Sequence, residues 1–262
     1  MNVLIELEKC SQEAVTGLRE EYLDGLAFSQ DAFLEAQVGV AQFVLIRHKG
    51  RVVGYCAVSD DHTLVEYHLS EQAIYLAQSI YPKLIAQLAI KRAVVKSFDY
   101  LALSNALDLG CRTTVLGMLV RKYVRQNLVR LPHIAYDVRI AEAADTEAVL
   151  AVEQDVFSDP TRITAVILQQ QMLLFQRDKT LIGFGILRPV RPNRIDIEVG
   201  IAVDRPFRNR GYAAYMLVDL VEHCVSQGGN PVSGCSIANV ASIRLGQRIG
   251  LCARHRLLEV EF

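Results

Sequence analysis

The stretch IEVGIAVDRPFRNRGYAAYMLVDLVEHC, Ile197 to Cys224, decides how this chain is read. Its period changes midway. Up to Val203 the pattern is that of a strand, with Asp196 and Glu198 placed on one face by the two-residue alternation. From Ala214 onward, apolar residues return at Leu217, Val218, Val221, Cys224 and Val225. Asp219, Glu222, His223 and Ser226 take the opposite face of an amphipathic helix. Between the two lie Arg208, Asn209, Arg210, Gly211, Tyr212 and Ala213. The first amides of a helix lack internal partners and carry the positive end of its dipole, so they form an anion site. Gly211 has no Cβ to obstruct a close approach, and two arginines add charge. The pattern predicts a bound phosphate, most simply a pyrophosphate; a solvated helix terminus shares the same local signature. Neither the P-loop G-x-x-x-x-G-K-[ST] nor the dinucleotide G-x-G-x-x-G occurs here.

Downstream, Gly228-Gly229 supplies a left-handed stop and Pro231 forbids continuation of the helix. PVSGCSIAN then reads as a strand, Val240 to Ile249 as a helix stopped by Gly250, and ARHRLLEVEF as a final strand. Upstream, YDVRIAEAADTEAVLAVEQDVF reads as a strand followed by a helix. Asp145 is its expected N-cap, with Val149, Val152 and Val156 on the apolar face. A hairpin turning at Asp178-Lys179 follows, then a loop from Pro189 to Asn193.

The first half repeats the beginning of this order. SQEAVTGLREEYLDGLAF is expected to be helical, QFVLIRHKGRVVGYCAVSD a hairpin turning at Lys49-Gly50, and HTLVEYHLS a strand. IYLAQSIYPKLIAQLAIKRAV is expected to be helical with an interruption at Pro82, and FDYLALSNA a strand. A divergent internal duplication explains the repetition, with halves 1–133 and 134–262 and a boundary near Pro132. Strands alternating with helices, with hairpins among them, imply a mixed α/β sheet.

The chain of 262 residues carries a formal net charge of -1. That gives no field to attract nucleic acid or an anionic membrane. The acidic residues in MNVLIELEKC argue against a signal peptide, and no apolar run is long enough to span a bilayer, so a cytoplasmic protein is expected. Cys10, Cys56, Cys111, Cys224, Cys235 and Cys252 form no C-x-x-C pair. They are expected to be reduced and mostly buried, and no Cys/His cluster has metal-ligand spacing.

Arg208, Gly211 and Ala213, followed downstream by Asn239, Ser242 and Gly250-Leu251, resemble the paired motifs of the GNAT (GCN5-related) N-acetyltransferase superfamily. The resemblance spans roughly Tyr136 to Phe262 and implies an acyl-CoA N-acyltransferase fold, tandem if the first half is a degenerate GNAT-like domain. It further implies acetyl-CoA as co-substrate. Backbone around Ile201, Ala202 and Val203 would contact the pantetheine, amides of Arg208 to Ala213 the pyrophosphate, and Asn239, with Ser242 nearby, the pantetheine or departing sulfur. A Val203 amide could polarise the thioester carbonyl. The acceptor would be a primary amine on a small molecule, peptide or protein. Because an alkylammonium must lose a proton to attack, a general base is expected. Glu198 is the first candidate and Asp196 the second; an acidic strand face, or an ion pair with Arg194, is the structural alternative.

One departure stands out. Where many members place a tyrosine as general acid, this chain has Gly246, and Leu251 replaces an aromatic. The contrasting reading is a non-catalytic acetyl-CoA-binding regulatory protein. The corresponding turn of the first half contains neither glycine nor arginine, so no pyrophosphate site is expected there. That half would support the sheet, wall the acceptor site or form a homodimer contact. The basic RPVRPNR loop, Arg188 to Arg194, would draw an acidic acceptor, although charged hairpins are commonly just solvated. Tyr67, Tyr75, Tyr81 and Tyr100 are either pocket or core.

Overall fold

The computed structural model describes residues 4–128, 134–152, 160–191 and 194–262. Pro132, Val156, Pro192 and Asn193, and with them the expected boundary at residue 133, lie outside the described residues. The chain divides into two compact units. The first comprises Met1–Leu119, Ser236–Ala238 and Arg254–Phe262; the second comprises Val120–Cys235 and Asn239–Ala253.

The first unit contains β1 (Glu6–Cys10), α1 (Thr16–Gly25), α2 (Ala32–Val38), β2 (Gln42–His48), β3 (Arg51–Val58), β4 (Thr63–Leu69), α3 (Ala77–Gln87), β5 (Arg92–Lys96), α4 (Tyr100–Leu109) and β6 (Arg112–Val120), whose last residue begins the second unit. β7 (Lys122–Tyr123), β8 (Asp137–Ile140), α5 (Thr146–Val152), α6 (Pro160–Leu168), β9 (Met172–Arg177), β10 (Thr180–Pro189), β11 (Asp196–Val203), α7 (Tyr212–Ser226), β12 (Asn230–Ser236), α8 (Val240–Ile249) and β13 (Leu251–Cys252) follow. The chain ends with β14 (His255–Glu261). Within the first unit the strand order is β1-β2-β3-β4-β5-β14-β6, and within the second β8-β9-β10-β11-β12. Both are mixed sheets: β4 and β5 run parallel, as do β11 and β12, and the hairpins run antiparallel.

The last strand therefore belongs to the first unit. β14 pairs antiparallel with β5 over Leu257–Glu261 and with β6 over His255–Glu261. Its Leu257 and Val260 are buried in that unit's core.

Each unit packs helices on both faces of its sheet. In the first, Tyr55 and Phe43 meet Val15, Tyr22, Leu23 and Val38 on the α1–α2 face, while Tyr67, Leu69, Ile80, Tyr81 and Leu84 fill the α3–α4 face. In the second, Phe184 and Ala202 meet Val149, Val152, Ile163 and Val166 on the α5–α6 face. Val199 meets Leu217, Leu220 and Val221 on the α7 face. Each such side chain contributes about 1.5–3 kcal/mol when removed from water.

Several local expectations are corrected. FDYLALSNA is not a strand: α4 covers it, because the Asp99 carboxylate accepts from the Ala102 amide 3.3 Å away and caps a helix. α3 runs through Pro82 without interruption, and the end of the expected helix, Arg92 to Val94, instead opens β5. Asp145 immediately precedes α5 as the last residue of a 3-10 turn, Ala143–Asp145, that Glu142 caps; it closes a reciprocal capping box by accepting from the Glu142 amide at 2.8 Å. Among the cysteines, all free, only Cys56 and Cys224 are buried. Both expected hairpin turns are present, with positive φ at Lys49 and Gly50 and at Asp178 and Lys179. No described helix is long and apolar enough to cross a membrane.

Candidate functional site

β11 is paired along its length to β10, from Pro189↔Ile197 to Gly183↔Val203. On its other side the pairing with β12 covers only Asp196↔Asn230, Ile197↔Pro231 and Glu198↔Val232. Both strands continue, β11 to Val203 and β12 to Ser236, without further pairing to each other. Beyond Glu198, β11 thus has no further register partner on β12; Ile201, Ala202 and Val203 lie in this splayed part.

The chain then makes a short 3-10 turn, Arg205–Phe207, capped by Asp204, and enters α7 through Arg208–Gly211. Asn209 has φ +60° and Gly211 φ +92°. Glycine suits the latter on two counts: left-handed backbone, and a Cβ that would approach the Ile134 Cδ1 to 3.0 Å. Among the described residues no backbone carbonyl accepts from the amides of Asn209 to Ala213; the Ala214 amide already donates to the Gly211 carbonyl at 3.3 Å. The Arg208 guanidinium folds back, its Nε donating to the Val203 carbonyl at 2.7 Å and fixing the turn to the strand end. Arg210 is exposed. Tyr212 is buried against Phe207 and Tyr136, and its hydroxyl accepts from Arg177 at 3.2 Å. Ala213 follows it in the first helical turn.

Asn239 is the N-cap of α8, its Oδ1 accepting from the Ser242 amide at 3.0 Å. Burial pushes the Cys235 thiol up, and the nearby Ser242 side chain opposes that shift. Asn239 and Ser242 thus stand together where β12 gives way to α8.

The two candidate carboxylates have different partners. Glu198 faces Arg188, its register partner on β10; Nη2 and Nε of Arg188 donate to the same oxygen, Oε2, at 2.6 and 3.2 Å. Antiparallel register puts Arg188 directly opposite Glu198. Asp196 accepts from the Asn230 side chain at 2.6 Å, and its charge adds to the burial that pushes Cys224 up to about 11. The sequence reading placed Arg188 only in the basic loop and missed its pairing with Glu198; alternation across the hairpin was the signal that would have found it.

Gly246 lies inside α8, and a Cβ there would meet only the Leu251 Cβ, at 3.7 Å. In the first unit the turn after β4, Glu71–Leu76, runs directly into α3 and contains neither glycine nor arginine. Tyr67 and Tyr81 are core residues, whereas Tyr75 and Tyr100 are exposed.

Both halves match family models. Residues 11–122 match an acetyltransferase (GNAT) domain, and residues 140–251 match the acetyltransferase (GNAT) family. No curated protein matches the chain. Among solved structures, an acetyltransferase from the GNAT family of Colwellia psychrerythraea is 20% identical, with TM-score 0.89, covering 98% of this chain and 99% of that one. A tandem GNAT protein from the clavulanic acid biosynthesis pathway is 13% identical, with TM-score 0.62 and 98% of both chains covered. A GCN5-related N-acetyltransferase from Sphaerobacter thermophilus is 15% identical, with TM-score 0.58, covering 98% and 95%. At these identities the likeness is one of fold. With a GNAT model matched in each half, the chain belongs to the GNAT acetyltransferase family as a tandem GNAT protein.

Proposed function

We propose that the second unit binds acetyl-CoA and transfers its acetyl group to a primary amine. The carrying observation is a coincidence of two features. β11 parts from β12 after Glu198, and the turn that follows offers the unengaged amides of Asn209 to Ala213 beside Arg208 and Arg210. Ile201–Val203 would take the pantetheine arm along its unpaired edge, and the turn would take the pyrophosphate. Asn239 keeps its side-chain amide N–H groups for the pantetheine or the departing sulfur, since only Oδ1 serves as cap. Ser242 supports that position. The ligand supplies the thioester; the chain supplies the anion site and the base.

In the transfer, the amine nitrogen bonds to the thioester carbonyl carbon, the carbon–sulfur bond breaks, and CoA leaves as thiolate. Glu198 accepts the amine's proton through Oε1, the oxygen that Arg188 does not hold. Asp196, which accepts from Asn230 through Oδ1, is the second candidate base. Gly246 cannot protonate the thiolate, so that proton comes from water. The acceptor is an amine-bearing small molecule, peptide or protein.

A thiol-release assay on acetyl-CoA tests this reading. The parent should release CoA faster with an amine present, and Glu198→Gln should lose about 10²–10⁴-fold of that rate. Equal rates in both would remove Glu198 from the mechanism. Gly246 favours one second reading, a non-catalytic acetyl-CoA-binding regulator. It is supported if acetyl-CoA binds and no amine accelerates thiol release.

A further inference from the structure

The two units place corresponding residues through the same hairpin geometry. In the first, Gly54 pairs with Leu69, and its Cβ would strike the His68 carbonyl at 2.1 Å. In the second, Gly183 pairs with Val203, and its Cβ would strike the Ala202 carbonyl at 2.2 Å. Counting back from these anchors, Tyr55 corresponds to Phe184, His68 to Ala202, and Glu66 to Gly200. The burial agrees: Tyr55 packs on the α1–α2 face and Phe184 on the α5–α6 face.

At this shared position the units differ. Glu66 is buried and fully engaged, taking Arg19 at 3.0 and 3.1 Å, Gln30 at 2.9 Å and Tyr55 at 3.0 Å. Among the described residues nothing covers Gly200: a Cβ built on it would meet no heavy atom of theirs within 4 Å. It lies on the Glu198–Ala202 face of β11, opposite Ile186 and one alternation from the Arg188–Glu198 pair. Arg188 spends Nε and Nη2 on one oxygen of Glu198, and neither its Nη1 nor Glu198 Oε1 has a partner among the described residues. The pair is partly exposed, at 34% and 21% of side-chain surface, so an incoming group can reach it.

We propose that the open place over Gly200 is the acceptor slot, and that Arg188 selects acceptors carrying an anionic group beside the amine. An amino-acid-like molecule is the simplest such acceptor. Its amine meets Glu198 Oε1, and its carboxylate meets the remaining N–H groups of the Arg188 fork, a geometry that lysine does not reproduce. The floor of the slot is the Gly200 backbone, so side-chain volume at that position sets what enters. This inference rests on the acetyl-transfer reading.

The test measures CoA release from acetyl-CoA with paired probes, tyrosine against tyramine and lysine against cadaverine. It uses the parent, Arg188→Met, Arg188→Lys and Gly200→Val. The parent should favour the carboxylate-bearing member of each pair at least tenfold in kcat/KM. Arg188→Met should erase that ratio, and Arg188→Lys should keep part of it. Gly200→Val should suppress turnover of both members. Acetyl-CoA should raise the melting temperature equally in all four proteins. No preference in the parent, no probe turned over above the water rate, or a preference that survives Arg188→Met overturns the selection by Arg188. Undiminished turnover in Gly200→Val, or loss of its acetyl-CoA stabilisation, overturns the slot. A parent that acetyl-CoA does not stabilise sinks the transfer reading itself, a result that needs no amine probe.

Discussion

Glu66 and Gly200 hold the same register position in the two units; one is sealed by a buried carboxylate, and the other is open among the described residues. The seal is a network. Arg19 bridges Glu66 and Glu35; Gln30 bridges Glu66 and Lys96; Lys96 reaches the Tyr22 hydroxyl at 2.6 Å, and Tyr22 donates to Asp99 at 2.6 Å. Burial disfavours the charged Arg19, yet Glu66 and Glu35 outweigh it and hold the guanidinium above its ordinary value. Glu66→Gln leaves that cation short of its main partner. A loss of about 3 kcal/mol in the first unit's denaturant unfolding is expected. A loss under about 1 kcal/mol would mean that the network carries no such weight.

His68 gives the first unit a pH dependence of definite sign. Its ring lies between Tyr22 and Tyr55, and Glu21 stands 3.6 Å from Nε2. Burial lowers its pKa, outweighing the raising effects of Glu21, Asp99 and Glu66. The unfolded chain takes up the proton near pH 6.5 while the folded chain resists it. Stability from this residue is therefore complete above about pH 6.5 and declines as pH falls toward the lowered folded value. Urea midpoints from pH 8 to 5 should fall in the parent and flatten in His68→Phe. Equal slopes would assign the acid sensitivity elsewhere.

The C-terminal strand should be indispensable to the first unit. Removing residues 255–262 takes out the strand that lies between β5 and β6, along with buried Leu257 and Val260. Amide exchange should then lose protection in β5 and β6 and keep it in β9, β10 and β11. Retained protection in β5 would contradict the assignment of β14 to that sheet.

Gly246 offers an inexpensive gain. It sits in a helix interior with room for a methyl group, so Gly246→Ala should stabilise by about 0.5–1 kcal/mol. Thermal unfolding reads this directly, and a destabilised variant would show that the space is needed for packing. Gly246→Tyr should raise the rate of CoA release if thiolate protonation limits the parent.

How far the sequence revealed all this depends on the element. α7 was legible because one face is uninterrupted from Ala214 to Cys224, and the hairpins were legible because two-residue turns at Lys49-Gly50 and Asp178-Lys179 interrupt alternation. FDYLALSNA misled because short apolar runs do not separate strand from helix; the Asp99 cap decides it. The placement of β14 was not legible, since alternation shows that a strand exists and not which sheet receives it. The pairing of Arg188 with Glu198 was missed as well, since it follows from the hairpin register. The bare place at Gly200 has no sequence signature beyond the glycine itself. It emerges only when the neighbours of that residue are known.

The most direct measurement is thermal unfolding with and without acetyl-CoA for the parent, Gly211→Glu and Arg210→Glu. The second variant reverses an exposed charge without disturbing the left-handed backbone that Gly211 requires. At about a hundred times its dissociation constant the ligand should add roughly 2.7 kcal/mol, a shift of about 5–10 °C for a chain of this size. The account predicts that shift in the parent and its loss or sharp reduction in both variants. A parent that does not shift, or an undiminished shift in both variants, would contradict a pyrophosphate site at Arg208–Ala213.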